Sequence, residues 1–401
     1  MAILLDWLEV LIRWGHILVG ISWIGTSFYF NWFDLSVRPP EGRTIKDRAR
    51  GTLHEVHGGS FYYHEQFLPD QDHPRTLAHS GPAQLTFATG IALLVLVYWF
   101  GASVYLIDPE VHDLSVATAI LLSAAPILIV WLFYDRLCRK VTDDRVIFVV
   151  MAIVTVVLAW FFGQIFGARA AYLHVGVVLG STMVANVQHA IVPNHIAMRK
   201  QLQAGEPLKT AFGDEAKRRS QHNNYITLPV IFSMISIHFP LAYSHQYAWL
   251  ILSLIMGCGV AVRHYFNVTL AEERRDFRLI AAACACLTGA VALTFIPTPP
   301  AEQNLAELSD PVLKDIHEIV QRRCTTCHSA RPSSEDFTTA PLGFKLDTLS
   351  QLRARADKVL QRSILTDDMP PNNITEMSDD ERERLGAWLR SIGAKEVPEE
   401  N

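Results

Sequence analysis

Cys324, Cys327 and His328 stand in a Cys-Thr-Thr-Cys-His run. Two thiols three residues apart on one helical turn reach both vinyl groups of a haem, and the adjoining imidazole then faces the iron, so this is the spacing of a covalent c-type haem attachment site. A zinc or redox CxxC needs a second Cys/His pair nearby or a strand-helix-strand context, and the sequence has neither. Met369 lies 41 residues after His328. That is enough chain to fold over the far face of the haem and offer a thioether as sixth ligand, which raises the potential; Met377 is the second candidate. Ser378 and Glu381 spell a capping box that starts a last helix through Leu385, Trp388 and Leu389. Residues 305–401 are expected to be a small all-α cytochrome c domain with His328 and Met369 on the metal.

What precedes this motif reads as membrane. Half of all residues are hydrophobic. A proline cluster, Pro297-Thr298-Pro299-Pro300, marks a linker over 298–304. Before it, eight apolar runs are long enough to span about 30 Å of hydrocarbon: 7–33, 83–107, 114–136, 146–166, 170–192, 225–242, 246–268 and 277–297. The expected fold is all-α, with an eight-helix transmembrane bundle over 1–297 followed by the cytochrome domain. The first run is too long for a cleaved leader and lacks a basic start.

Charge orients the bundle. Residues 1–300 hold 22 Lys/Arg, of which six fall in 34–82, four in 136–145, six in 193–224 and three in 269–278. These are alternate connections, so the basic set is cytoplasmic and both termini lie outside. A c-haem is attached in the bacterial periplasm, which agrees with a multi-pass inner-membrane protein whose cytochrome domain is periplasmic. Beyond residue 300 there are 19 Asp/Glu against 13 Lys/Arg, a modestly acidic surface suited to a basic redox partner. Nucleic-acid binding has no support. Cys138, Cys258, Cys284 and Cys286 fall within or at the ends of apolar runs, where a thiol behaves as a small hydrophobe, and no disulfide framework is implied.

Ionisable residues inside spans are functional candidates by default, and the chain has 16 histidines. Counting depth places His16, His174 and His238 in the outer part of the membrane. Facing histidines on two helices can hold a b-type haem, and Gly15, Gly20, Gly176 and Gly180 remove bulk where a flat macrocycle would lie. The simpler reading is close helix packing with a hydrogen-bonded histidine. His16 and His174 are therefore expected as haem b ligands, with His238 as substitute. Toward the inner face, His57 sits beside Gly58-Gly59 and the aromatics Phe61, Tyr62 and Tyr63; an amphipathic interfacial helix is the plainer account of that segment. His222, Asn223 and Asn224 open the sixth span, where two amides suit an alternating NH/C=O edge, or an N-cap. Arg263 and His264 put a cation beside an imidazole. Together they suggest a polar pocket open to the cytoplasm.

The same residues carry a family resemblance. Trp14-Gly15-His16 with Gly20-Ile21-Ser22-Trp23-Ile24-Gly25, Val56-His57-Gly58-Gly59-Ser60-Phe61-Tyr62, Asn186-Val187 with Pro193-Asn194, His222 through Pro229, and Arg263-His264-Tyr265-Phe266-Asn267 resemble the membrane-bound, cytochrome c-linked urate oxidases. In that family an eight-span N-terminal domain is fused to a cytochrome c. The resemblance covers essentially the whole chain. It implies oxidative hydroxylation of urate to 5-hydroxyisourate, with electrons leaving through the c-haem to a periplasmic acceptor such as a soluble cytochrome c or a terminal oxidase.

The favoured chemistry removes two electrons from a urate anion held by His57, His222, Asn223, Asn224, Arg263 and His264, with one of the histidines taking the proton and water attacking C5. Electrons must then cross much of the hydrocarbon core, which calls for a cofactor between pocket and periplasm. The alternative is a membrane cytochrome that moves electrons from quinol or another donor without purine chemistry. A transporter with an appended cytochrome is disfavoured, since no pair of broken helices is evident.

Overall fold

A computed structural model describes residues 2–40, 49–73, 76, 79–299, 301–337 and 339–395. Met1, Pro300 of the linker and the last residues, 396–401, lie outside the described residues. The elements run α1 (Ala2–Ser36), β1 (Ala49–His57), β2 (Ser60–Phe67), α2 (Gly81–Leu93), α3 (Val116–Lys140), α4 (Asp144–Ile165), α5 (Ala168–Asn186), α6 (Val192–Gln203), α7 (Thr210–Ile235), α8 (Pro240–Tyr243), α9 (Ala248–Glu272), α10 (Phe277–Thr294), α11 (Pro311–Arg323), α12 (Leu349–Ala354), α13 (Ala356–Leu360) and α14 (Asp379–Ser391).

Six helical stretches among the described residues are long and apolar enough to cross a membrane: Gly81–Trp99, Val116–Lys140, Asp144–Ile165, Ala168–Gln203, Ala248–Glu272 and Phe277–Thr294. The first and fourth are continuous because π-helical turns at Leu94–Trp99 and Val187–Ile191 extend α2 and join α5 to α6. The turn before α6 falls where Pro193 lacks an N–H to continue an α-helical ladder. Two of the eight expected spans fall short of that apolarity. α1 is one unbroken helix of 35 residues, about 52 Å long, but Asp6, Glu9, Arg13, His16 and Asp34 interrupt its apolar sequence. α7 carries Lys217 through Asn224 on its first half, and the expected run to 242 is broken after Ile235 by a 3-10 turn, Ser236–His238, and by Pro240.

The expected all-α fold needs a further correction, because β1 and β2 form an antiparallel hairpin. Gly58 and Gly59 have φ of +57° and +80°, the signature of a two-residue turn whose twist matches the strands it joins. His54 pairs with Tyr63, Glu55 with Tyr62 and Val56 with Phe61. A run of aromatics favours strand over helix, so the segment read as an interfacial helix is extended instead.

α5 is the hub. In the stretch Ala168–Gln203, 56% of the spanning window is buried, against 11–22% in the other five. Around it α3, α4, α7 and α9 turn apolar side chains outward; Leu121, Ile129, Val149 and Ile153 are each about three-fifths exposed. A surface of this kind is stable only against lipid, so the chain is a multi-pass membrane protein. Gly176 lets α5 and α7 meet: a Cβ there would stand 2.6 Å from the Cβ of Ser233.

A second apolar core lies after residue 300, where Ile316, Ile319, Leu349, Leu352, Leu360, Met377, Leu385 and Leu389 pack together. α14 opens with the expected capping box: Ser378 Oγ accepts from the Glu381 amide at 3.2 Å, and Glu381 Oε2 accepts from the Ser378 amide at 2.9 Å. This helical unit rests on the bundle loops through Arg355, which pairs with Asp108 at 3.2 Å and Glu110 at 3.0 Å and lies 4.9 Å over the Phe344 ring.

Candidate functional site

α7 places its polar residues on two faces. Arg219, His222 and Asn223 turn toward α3, α4 and α5. Arg219 can only donate, and it donates to Asn186 Oδ1 at 3.2 Å, which fixes the Asn186 amide. Asn186 Nδ2 therefore donates to Tyr134 Oη at 3.1 Å and to Asn223 Oδ1 at 2.9 Å. Asn223 Nδ2 donates to the Met183 carbonyl at 2.9 Å. With both ends committed, Asn223 is a structural amide, and the role expected for it on a substrate edge does not hold in this arrangement. Tyr134 receives its hydrogen bond from Asn186, so its own O–H goes to His222 Nδ1 at 2.7 Å, and His222 Nε2–H faces Asp144 Oδ1 at 3.2 Å. Both nitrogens of His222 are thus occupied by protein. Arg219 is balanced by Glu215 and Asp135, and Arg218 by Asp144.

His222 and Tyr134 line a cavity of about 190 Å³ among α3, α4, α5, α7 and α9, together with Phe148, Thr182, Ser253 and Val260. Phe148 packs edge-on against Tyr225 at 4.7 Å, and Tyr225 Oη is 2.8 Å from His264 Nδ1. His264 is thus linked to the cavity wall only through Tyr225 and Phe148, and is itself exposed, whereas His222 is buried.

Asn224, one residue on, faces α9 and is fully buried. Its Oδ1 accepts from Arg263 Nε at 2.7 Å and from Asn267 Nδ2 at 3.0 Å. That leaves Asn224 Nδ2 and Asn267 Oδ1 as a buried donor and a buried acceptor without a hydrogen-bond partner, an arrangement costly enough that a ligand is the natural remedy. The Arg263 guanidinium lies 4.2 Å over the Phe28 ring of α1 and has no carboxylate partner among the described residues. Asn267 entered the sequence reading only as the last residue of the Arg263–Asn267 motif, without a site role, and Phe28 not at all. Asn267 was findable from its position one helical turn past Arg263, whereas Phe28 was hidden among the aromatics of α1. His57 is displaced from the expected pocket: it sits exposed at the hairpin tip, while Asn224 is buried.

The outer histidines are sorted differently from the depth count. His174 is completely buried, with Nδ1 2.8 Å from the Ala170 carbonyl and Nε2 2.8 Å from Ser123 Oγ, inside a cage of Tyr98, Phe162 and Phe166. His16 instead meets Thr89 at 3.0 Å. Thr89 and Tyr98 are nine residues apart on one helical stretch, about 13 Å, whereas two imidazoles on one iron approach to about 4 Å, twice a metal–nitrogen bond. His16 and His174 do not form one ligand pair here. Both keep the tautomer a haem needs, since Nδ1–H is held by an acceptor and the lone pair stays on Nε2. His238 is exposed at the outer end of α7, in a turn that packs on α5.

After α11, Cys324 and Cys327 follow the helix end, and the His328 amide donates to the Cys324 carbonyl at 2.8 Å. Burial pushes the Cys324 thiol up to about 12 and lowers His328 below the ordinary histidine value. His328 Nδ1–H donates to the Phe344 carbonyl at 2.9 Å, which orients the ring and leaves Nε2 for a metal. Met377 is buried in the second core at 3% exposure, whereas Met369 is half-buried on a loop tied by Arg382. The residues fit a covalent haem. No cluster of three or more His, Cys, Asp or Glu side chains gathers for a metal ion among the described residues.

Apolar helices enclosing a buried network of arginine, histidine and asparagine define a multi-pass membrane protein with an internal polar site. The chain belongs to the Urate oxidase N-terminal family, whose model matches residues 2–295, and is thereby an oxidoreductase of the urate oxidase type. No curated protein and no solved structure matches it.

Proposed function

We propose that the membrane domain, residues 1–297, oxidises urate to 5-hydroxyisourate and passes the electrons to a cytochrome c domain at 305–401, joined by the 298–304 linker. One observation carries this: in a chain of the urate oxidase family, Arg263 has no carboxylate partner among the described residues and lies beside the unpaired Asn224 Nδ2 and Asn267 Oδ1. An anion satisfies the guanidinium, a lactam edge offers a carbonyl to Asn224 and an N–H to Asn267, and a planar ring suits Phe28. Arg263, Asn224 and Asn267 hold and orient the purine. His264 of α9 and His222 of α7 are the candidate proton handlers.

The reaction removes two electrons and two protons from urate and water as the water oxygen bonds to C5. Cys324, Cys327, His328 and Met369 would hold a haem, which when bound would supply one-electron acceptance at the outer face. The thickness of the core supports non-covalent haem b in the outer half, with His16 and His174 on separate irons and His238 available to the outer one. In this reading α1 and α7 complete eight crossings; the basic connections support a bacterial inner-membrane protein with its cytochrome domain in the periplasm, facing a soluble cytochrome c or terminal oxidase.

Turnover of urate in ¹⁸O-water, without oxygen and with an artificial one-electron acceptor, tests the reaction. Label at C5 of the product is expected. An unlabelled product, or no product, removes this function and leaves electron transfer from quinol or another donor in its place.

A further inference from the structure

The hydrogen-bond roles around His222 run in one direction. Arg219 fixes Asn186, Asn186 donates to Tyr134, Tyr134 donates to His222 Nδ1, and His222 Nε2–H donates to Asp144. The chain starts at the wall of the 190 Å³ cavity, which Tyr134 and His222 both line. It ends at Asp144, whose side chain is 46% exposed where α4 begins, on the basic side of the bundle. We propose that Tyr134, His222 and Asp144 are a proton relay that carries protons from this cavity to the cytoplasmic face.

In one passage a proton arriving from the cavity bonds to Tyr134 Oη as the phenol proton moves to His222 Nδ1. The Nε2 proton of His222 passes to Asp144 and on to water. Each atom ends with the protons it started with, once the side chains reset, and no electron moves. Tyr134 Oη accepts from Asn186 and donates to His222, and the Cys138 thiol is also within its hydrogen-bonding reach. Arg218 pairs with Asp144 at 2.6 Å and Arg219 lies 5.2 Å over the Tyr134 ring. Cys138 Sγ is 3.9 Å from His222 Nδ1, while Asp135 and Glu215 bind Arg219 and not the imidazole. His222 thus acts through Tyr134, which explains how a histidine with both nitrogens occupied serves proton transfer.

As an exit for substrate protons the relay rests on the urate reading, and the experiment separates the two. Tyr134→Phe, Asp144→Asn and Asp144→Ala are compared with wild type in the full-length membrane protein. Tyr134→Phe is expected to lower kcat by roughly 100-fold, within the range for lost acid–base assistance, with KM changed less than roughly 2-fold. Asp144→Asn is expected to lower kcat and shift its acid limb, and formate is expected to restore turnover in Asp144→Ala by reaching the exposed site. Wild-type protein that takes no electrons from urate overturns the urate reading and, with it, this use of the relay. Active wild type with unchanged rates and pH profiles in Tyr134→Phe and Asp144→Asn overturns the relay alone, as does lost activity in Asp144→Ala that formate does not restore.

Discussion

Replacing Arg263 tests the anion site where its geometry is most specific. The guanidinium donates to Asn224 Oδ1 at 2.7 Å and stacks 4.2 Å from Phe28, so its orientation is set before any ligand arrives. Arg263→Met removes a charged hydrogen-bond donor, worth about 1.5–3 kcal/mol, which corresponds to about 10- to 150-fold in Kd. Arg263→Lys keeps the charge but loses the planar fork, so a loss of about 10-fold is expected. Phe28→Leu removes a cation–π contact of about 0.5–1 kcal/mol and lowers affinity only a few-fold. Equilibrium dialysis of radiolabelled urate against protein pre-reduced with dithionite measures binding without turnover. A Kd for Arg263→Met within 2-fold of wild type would refute the assignment, whatever happened to kcat.

Met369→Ala is expected to lower the haem potential or leave the iron high-spin, measured by redox titration with optical spectra. Met377→Ala, in the second core, is expected instead to cost about 2–5 kcal/mol of stability with the spectrum unchanged. Acid-acetone should extract protohaem from the intact protein while the c-haem stays attached, and His174→Ala and His16→Ala should each reduce the extractable amount; no extractable haem from wild type would end the haem b proposal. Asp72 is held down to about 2 from 3.8, first by its hydrogen bond to Arg199 and then by that to Gln203. A depressed carboxylate stabilises above its unfolded value and loses that contribution as pH falls, so the 68–73 segment should become more susceptible to an acid protease between about pH 4 and 2.

The α14 capping box was legible because it is a contiguous string whose geometry is local. The six most apolar spans were legible by length alone. α1 and α7 were recognised as helices, but in α7 the polar residues that lower the apolarity, Arg219 through Asn224, are those that build the interior site, and a linear hydropathy reading treats them as defects. His16 and His174 were assigned one depth by counting from span ends; in the fold they meet Thr89 and Tyr98, which stand about 13 Å apart along one helical stretch. Asn223 and Asn224 looked alike in sequence. Rotation of about 100° per residue sends one to Asn186 and the other to Arg263, so only the second is left with an unpaired group. The hairpin was missed because its histidines and aromatics were weighed as ligands and not as alternating strand residues.

Anaerobic mixing of the oxidised full-length protein with urate, followed at the c-haem absorption band, bears most directly on the central claim. The account predicts that urate alone reduces the haem attached at Cys324 and Cys327, two electrons leaving for each 5-hydroxyisourate formed. A c-haem that stays oxidised with urate, yet is reduced at once by dithionite, would contradict it.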